Sequence, residues 1–328
     1  MGFNAEFTPK PYNVDIAKVS VITTCYGRND HLYNLLSSLE HGSVKPAEII
    51  IVNDDADPKR LAEYDLNIIK IATTAALDST SMIHKTKSFD IGHNRNLGAR
   101  HASHEKLIFL DVDCIANPSF VEQIAIKLAE YPEALLMGQP KYLTRPLTKD
   151  ESVNLKRGIL DANDLEQLSV YNPYRHNFET TQLNETPTAI LETEDYGAFW
   201  SLCFAISRQQ FDRIGGFDVA YVGYGAEDTD FGFSARELGI KLYLSADVVY
   251  HQQHSVYRPP LNHLNSIVVN ANIFYKKWHH WPMQGWLQEF VDMGLIDWQQ
   301  QQLTPIKVIR AATKDEKNSA HCPDAAFV

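Results

Sequence analysis

The sequence predicts an α/β protein with a mostly parallel sheet and flanking helices. Short apolar runs rich in β-branched residues alternate with stretches whose apolar residues recur at helical spacing. Most of those runs end in polar clusters, and the carboxyl ends of strands are where such sheets collect ligands. With 328 residues, 44% of them hydrophobic and 22% charged, the chain is long enough to bury a large core.

Val19-Ser20-Val21-Ile22-Thr23-Thr24 reads as a buried strand, and Asp30 to Glu40 as an amphipathic helix with Leu32, Leu35, Leu36 and Leu39 on one face. Glu48-Ile49-Ile50-Ile51-Val52 is a second strand ending in Asn53-Asp54-Asp55, and Asn67 to Ile71 a short third. Gly92 to Ala102 reads as a helix, and Lys106 to Leu110 as the strand that delivers Asp111 and Asp113. Asn117-Pro118 opens a helix to Glu130, with proline at a permitted first position. From Lys141 to Glu194 the pattern blurs into polar, helix-poor sequence, read as loop over the site. Order resumes with a strand at Phe199 to Ile206, a helix at Arg208 to Ile214, the Gly215-Gly216-Phe217-Asp218 turn, and a helix from Glu227 to Gly239. After Pro259-Pro260 comes a helical tail, with Leu264, Ile267, Val268, Ala271, Phe274 and Tyr275 on its apolar face. The last fifteen or so residues read as frayed.

A net charge of −11 argues against general nucleic-acid binding, which needs basic faces. An anionic ligand must therefore be held locally, by a metal or a few placed cations. Cys25, Cys114, Cys203 and Cys322 are widely separated, so neither a zinc site nor a disulfide frame is indicated. Met1 to Ala17 lacks the apolar core of a signal peptide, and no run approaches the ~18 apolar residues of a membrane span. The expectation is a cytoplasmic protein, resting against the inner membrane if its substrate lies there.

The chemistry centres on Asp111-Val112-Asp113. In extended geometry the two carboxylates face the same side, an arrangement that is costly without a cation, and a divalent ion holding a phosphate would supply one. Downstream lie further polar candidates: Glu227-Asp228 behind a glycine-rich turn, and His251 and His254 after the strand-like Val248-Val249-Tyr250.

Thr23-Thr24-Cys25-Tyr26-Gly27-Arg28, Val52-Asn53-Asp54-Asp55, Asn94-Arg95-Asn96-Leu97-Gly98-Ala99-Arg100 and Asp111-Val112-Asp113 follow one another as in the family-two glycosyltransferases of GT-A fold, which the chain resembles. The second half, Gly215-Gly216-Phe217-Asp218 through Gly225-Ala226-Glu227-Asp228-Thr229-Asp230 to Arg236-Glu237-Leu238-Gly239, is similar to the β-1,4-galactosyltransferases and related N-acetylgalactosaminyltransferases. The likeness runs from about Lys18 to His254. It implies transfer of a sugar from a UDP-sugar with a divalent metal, Mn²⁺ or Mg²⁺.

The resemblance implies a site residue by residue. Thr24, Tyr26, Arg28, Asp54, Arg95, Asp111 and Trp200 would face the nucleotide-sugar, with Asp54 accepting from uracil or ribose. Arg28 is open to a surface role, and Arg95 to pairing with Asp111 rather than the diphosphate. Asp113 is the first-choice metal ligand, completed by His251 and His254, although some relatives carry methionine at the position of His251. A carboxylate with imidazoles suits Mn²⁺ better than Ca²⁺. Asp228 would be the catalytic base and Glu227 would contact sugar hydroxyls; capping of a helix start is the plainer alternative. Gly223, Gly225 and the small Ala226 let the backbone approach a sugar closely. In this chain Gly225-Ala226 replaces the family's glycine pair and Tyr224 its tryptophan. Tyr196, Phe199 and Trp200 serve either sugar stacking or core packing. Trp278, His279, His280, Trp281 and Trp286 read as a helix-packing seam before an acceptor platform.

The reading is a GT-A domain over 1–255, with a nucleotide-sugar half at 18–140 and an acceptor and catalytic half at 190–255, followed by a helical extension over 256–328. The expected activity is inverting transfer of a hexose or N-acetylhexosamine from a UDP-sugar to a hydroxyl of a glycan or glycolipid. A nucleotide-sugar hydrolase, a nucleotidyltransferase and a noncatalytic sugar-nucleotide-binding protein remain alternatives.

Overall fold

The computed structural model of the protein describes residues 18–73, 90–173 and 190–325. The first stretch holds β1 (Val19–Thr24), α1 (Asn29–Glu40), β2 (Glu48–Val52), the short α2 (Pro58–Leu61) and β3 (Ile68–Ile71). The second holds α3 (Ile91–His101), β4 (Lys106–Leu110), β5 (Cys114–Ala116), α4 (Phe120–Glu130), β6 (Leu135–Leu143), α5 (Lys149–Lys156), α6 (Ala162–Gln167) and β7 (Ser169–Tyr171). The third begins with β8 (Ile190–Thr193), β9 (Cys203–Ser207), α7 (Arg208–Ile214), α8 (Glu227–Glu237) and β10 (Leu242–His251). Its remainder comprises β11 (Val256–Tyr257), α9 (Leu264–Trp278), α10 (Gln284–Asp292), β12 (Ile296–Asp297), β13 (Lys307–Val308), α11 (Lys314–Ala320) and β14 (His321–Cys322).

Strands β1 to β10 form one twisted sheet in the order β3-β2-β1-β4-β9-β6-β10-β5, with β7 on β6 and β8 on β10. Strands β1, β2, β3, β4, β6 and β10 run one way, and β9 lies antiparallel between β4 and β6. Every residue of β1 and β2 is buried, as expected of central strands covered on both faces. Their side chains alternate between two cores. Val19, Val21, Ile49 and Ile51 join the leucines of α1 and Phe120 and Ile124 of α4. Ile22, Ile50 and Val52 pack with Leu97 of α3 and with Phe204, Phe211 and Phe231. Gly98 makes the second contact possible, since a Cβ there would lie 2.5 Å from the Ile22 side chain.

Several expectations change. Asp111-Val112-Asp113 is a turn, with Cys114 N–H donating to Asp111 O at 2.9 Å. The backbone is therefore not extended between them, and each carboxylate has its own partners, Arg95 for Asp111 and Arg28 with His31 for Asp113. The helix after Asn117-Pro118 begins at Phe120, because Asn117 Oδ1 accepts from Ser119 N–H and holds a turn first. The strand expected from Phe199 starts at Cys203, after a 3-10 turn at Tyr196–Ala198. The loop expected over Lys141 to Glu194 contains α5, α6, β7 and β8, with Thr148–Glu151 and Asp161–Asp164 capping boxes starting the two helices; residues 174–189 lie outside the described set. Where fraying was expected, Thr313 caps α11 and β14 pairs with β11.

Candidate functional site

Asp113 sits at the carboxyl edge of the sheet, just past β4, and is 5% exposed. The end of β10 brings His251 beside it, and the turn through Gln252 and Gln253 returns His254 to the same place. Asp113, His251 and His254 each offer a ligand atom within 4.8 Å of the others. The turn is built by buried amides. Gln252 N–H donates to Asp113 O at 2.6 Å, while its side chain links Asn34 at 2.8 Å and His31 O at 3.1 Å.

The donor set fits a divalent cation. Burial pushes His251 down to about 4, so its ring is neutral, and its Nδ1 is buried without a partner. Burial also lowers His254, whose Nδ1 lies 3.0 Å from Ser255 O. Donation from Nδ1–H to that carbonyl leaves Nε2 a lone pair, 3.6 Å from Asp113 Oδ2. Burial would raise the Asp113 pKa, but the His31 hydrogen bond and the Arg28 charge override it and hold the carboxyl well below the usual carboxylate range. His31 Nδ1 lies 2.5 Å from Asp113 Oδ1, and Arg28 is ion-paired with Oδ2.

Arg95, on α3, is nearly buried and pairs with Asp111 at 2.7 Å. One of the two readings left open for it is therefore realised, and its Nη1 is buried with no partner. Thr24 ends β1, buried; Tyr26 is 66% exposed in the following loop. Asp54, at the tip of β2, is exposed, and its carboxylate accepts from the Thr73 N–H at 2.7 Å and from the Thr73 hydroxyl. Trp200 is half-buried and its backbone N–H approaches Met137 Sδ at 3.3 Å. Tyr196 and Phe199 are core residues, 5% and 0% exposed, so of the aromatic trio only Trp200 has surface to offer a sugar.

Glu227 and Asp228 open α8 directly after Gly223 (φ 84°), Gly225 (φ 98°) and Ala226 (φ 73°). Ala226 is a left-handed alanine, a strain of order 1 kcal/mol that glycine would not carry. Asp228 Oδ1 accepts from Thr229 N–H at 2.7 Å, whereas Glu227 Oε2 is buried without a partner. Burial and the charge of Asp228 push Glu227 up to about 8, with Arg95 opposing. Burial raises Asp228 as well, against its bond from Thr229 and the charge of Arg95. Both carboxyls are thus held above their ordinary values, Glu227 at about 8. Arg95 and Asp111 act on both carboxyls, so the pair and the Asp111 turn share one electrostatic environment.

Sequence reasoning missed His31, three residues after Arg28 and on the first turn of α1, where helical spacing would have returned it to the Arg28 side. It also missed His263, which stacks on Tyr224 with ring centroids 4.5 Å apart; Trp286, read as part of a helix-packing seam, stacks on the same ring at 5.8 Å.

The pattern of glycosyl transferase family 2 fits residues 20–190, just over half of the chain, and the protein belongs to that family. With membership comes the GT-A fold. A second pattern, the N-terminal domain of galactosyltransferase, fits residues 191–257. Among curated relatives, an N-acetylglucosaminyl-diphospho-decaprenol L-rhamnosyltransferase of Mycobacterium tuberculosis is 24% identical over 81% of this chain and 85% of its own. A validoxylamine A glucosyltransferase of Streptomyces hygroscopicus subsp. limoneus is 21% identical, covering 84% and 60%. Two solved structures also align: GalNAc-T7 with UDP, GalNAc and Mn²⁺ (TM-score 0.49, 16% identity, 71% of this chain and 43% of that one), and S. aureus TarS 1–349 (TM-score 0.46, 16% identity, 77% and 64%). Among the described residues no helix is long and apolar enough to cross a membrane.

Proposed function

We propose that the protein is a divalent-metal-dependent, inverting glycosyltransferase that moves a hexose or N-acetylhexosamine from a UDP-sugar to a hydroxyl of a glycan or glycolipid. The observation that carries this reading is the Asp113–His251–His254 cluster, together with the adjacent carboxyls Glu227 and Asp228, both pushed up by burial and both acted on by Arg95 and Asp111.

Asp113, His251 and His254 would hold Mn²⁺ or Mg²⁺, which when bound supplies Lewis acidity toward the departing nucleoside diphosphate. Arg28 and Arg95 bring fixed positive charge to the same anion. Asp228 accepts the proton of the acceptor hydroxyl as that oxygen attacks the anomeric carbon, and the bond to UDP breaks in the same displacement. An α-linked donor therefore gives a β-linked product. Glu227, holding its proton, donates a hydrogen bond to a sugar hydroxyl beside the reacting centre. Asp54, Thr24, Tyr26 and Asp111 face the nucleoside and Trp200 the sugar ring. The mycobacterial relative's name describes transfer to a diphospho-decaprenol-linked sugar. A lipid-linked acceptor would place this enzyme at the cytoplasmic face of a membrane.

The test is a screen of UDP-sugars with Mn²⁺ for slow release of UDP and free sugar, repeated in excess chelator. One UDP-sugar should turn over, and only with metal. Undiminished turnover in chelator would overturn the metal assignment, and release of UMP would make the protein a hydrolase of another kind.

A further inference from the structure

The extension beyond residue 257 lies outside both family patterns, yet it grips the loop that carries the catalytic pair. We propose that the extension is a working part of the catalytic centre and that Asn270, on α9, is its positioning residue. This rests on the reading of Glu227 and Asp228 given above.

Asn270 is 0% exposed. Its Nδ2 donates toward three carbonyls within four residues of the loop: Val222 O at 3.2 Å, Tyr224 O at 3.2 Å and Gly225 O at 2.9 Å. Three carbonyls converging on one atom fix the amide's orientation, since its oxygen there would face only acceptors. The cost is visible on the other side, where Oδ1 is buried without a partner, an arrangement worth about 1–3 kcal/mol against folding. A residue selected only for packing would be an apolar one. What the amide holds is unusual backbone: Gly223, Gly225 and Ala226 are all left-handed within four residues, immediately before Glu227. Such strain persists only when the surroundings over-determine it.

Other parts of the extension reinforce the grip. Met283 closes on Gly225, where a Cβ would sit 2.6 Å from its Sδ. His263 and Trp286 stack on Tyr224. One turn further along α8, buried Asp230 receives Tyr221 OH at 3.0 Å, Lys277 Nζ at 2.9 Å and Trp278 Nε1 at 2.7 Å. The start of α8 is thus fastened to α9 at both the loop and the first turn.

The experiment compares Asn270→Ala with Asn272→Ala. Asn272 lies on the same helix, and its amide clips Ile306 through two bonds of 3.1 and 2.8 Å, away from the loop. Amide hydrogen exchange over residues 222–230, calorimetric binding of UDP with Mn²⁺, and turnover of the UDP-sugar the wild type hydrolyses are measured for each. Asn270→Ala should speed exchange over 222–230 at least tenfold and cut kcat by roughly 10²-fold, the scale of an ångström-sized misplacement, with UDP affinity unchanged within twofold. Asn272→Ala should do neither. If the alanine variant does not fold, Asn270→Ser, which keeps a small polar side chain but lacks the amide that meets the three carbonyls, goes through the same measurements and should show the same pattern. Equal exchange and kcat in the 270 and 272 variants would overturn the proposal. Faster exchange with unchanged kcat would also overturn it. Failure of the wild type to turn over any UDP-sugar would sink the functional reading instead, and exchange alone would then decide whether Asn270 holds the loop.

Discussion

Glu227→Gln should make the protein more stable at neutral pH while damaging its activity, and the size of the gain follows from the site. The Glu227 carboxyl moves from 4.5 to about 8 because it is buried beside Asp228. A folded-state value above the unfolded one means that the native protein binds this proton more tightly. Stability from this group is therefore complete below about pH 4.5, declines as pH rises to about 8, and is flat above. At 1.36 kcal/mol per tenfold change in proton affinity the whole span is worth at most about 5 kcal/mol. Glu227 is only half-buried as a residue, and water screens part of that, so about 2 kcal/mol at pH 8 is expected. Glutamine keeps the size and hydrogen bonding of the protonated acid and removes the titration. Urea unfolding at half-unit steps from pH 5 to 8.5 would show the wild type losing stability relative to the variant with rising pH. Parallel curves would refute the argument, because they would mean that Glu227 carries no excess proton in the native state.

Asp228→Asn should lower turnover by roughly 10²-fold or more, the range for loss of a general base, while calorimetry shows UDP affinity little changed. Asp113→Ala should abolish measurable Mn²⁺ binding, and alanine at His251 or His254 should raise the Mn²⁺ concentration needed for half-maximal UDP binding. Because burial lowers both imidazoles, metal affinity should hold below the ordinary histidine value near 6.5 and fall only at more acidic pH, which an EPR titration of free Mn²⁺ can follow. Lys127, fully buried, donates to Asp247 at 2.6 Å and Ser245 at 3.1 Å beneath the register shift in β10; Lys127→Met should cost about 3–5 kcal/mol in chemical denaturation by stranding the carboxylate.

The sheet was largely legible because its strands are buried on both faces and read as unbroken apolar runs, as in Glu48 to Val52. Helices α1, α7 and α8 were legible from apolar spacing and from the Gly215 and Gly239 stops. The region of α5 and α6 was not: these are short helices whose stability comes from capping boxes and one buried leucine each, Leu155 and Leu165, which leaves too little periodicity to see. Asp111 and Asp113 were visible as a motif, but their separate pairing was not, because it depends on partners 16 and 85 residues away, Arg95 and Arg28. Asn270 illustrates a harder limit. An asparagine in an amphipathic helix carries no local mark of the loop 45 to 48 residues upstream whose carbonyls it collects.

The place of β9 in the sheet bears on how this chain can be divided and how it folds. The two family patterns meet at residue 190, which invites a view of the protein as a fusion. Yet β9, from the second, is hydrogen-bonded on one edge to β4 and on the other to β6, both from the first, and β10 runs beside β6 along most of its length. A chain cut at the boundary would leave open strand edges on β4 and β6 in the first piece and strip β9 of both its neighbours in the second, each a template for association with other chains. The two regions are thus one cooperative unit that must close across about a hundred residues, a long-range pairing that slows folding. Exchange of the two pattern regions between relatives should therefore yield aggregates rather than hybrid enzymes, and substitutions within one intact sheet are the safer route to altered activity.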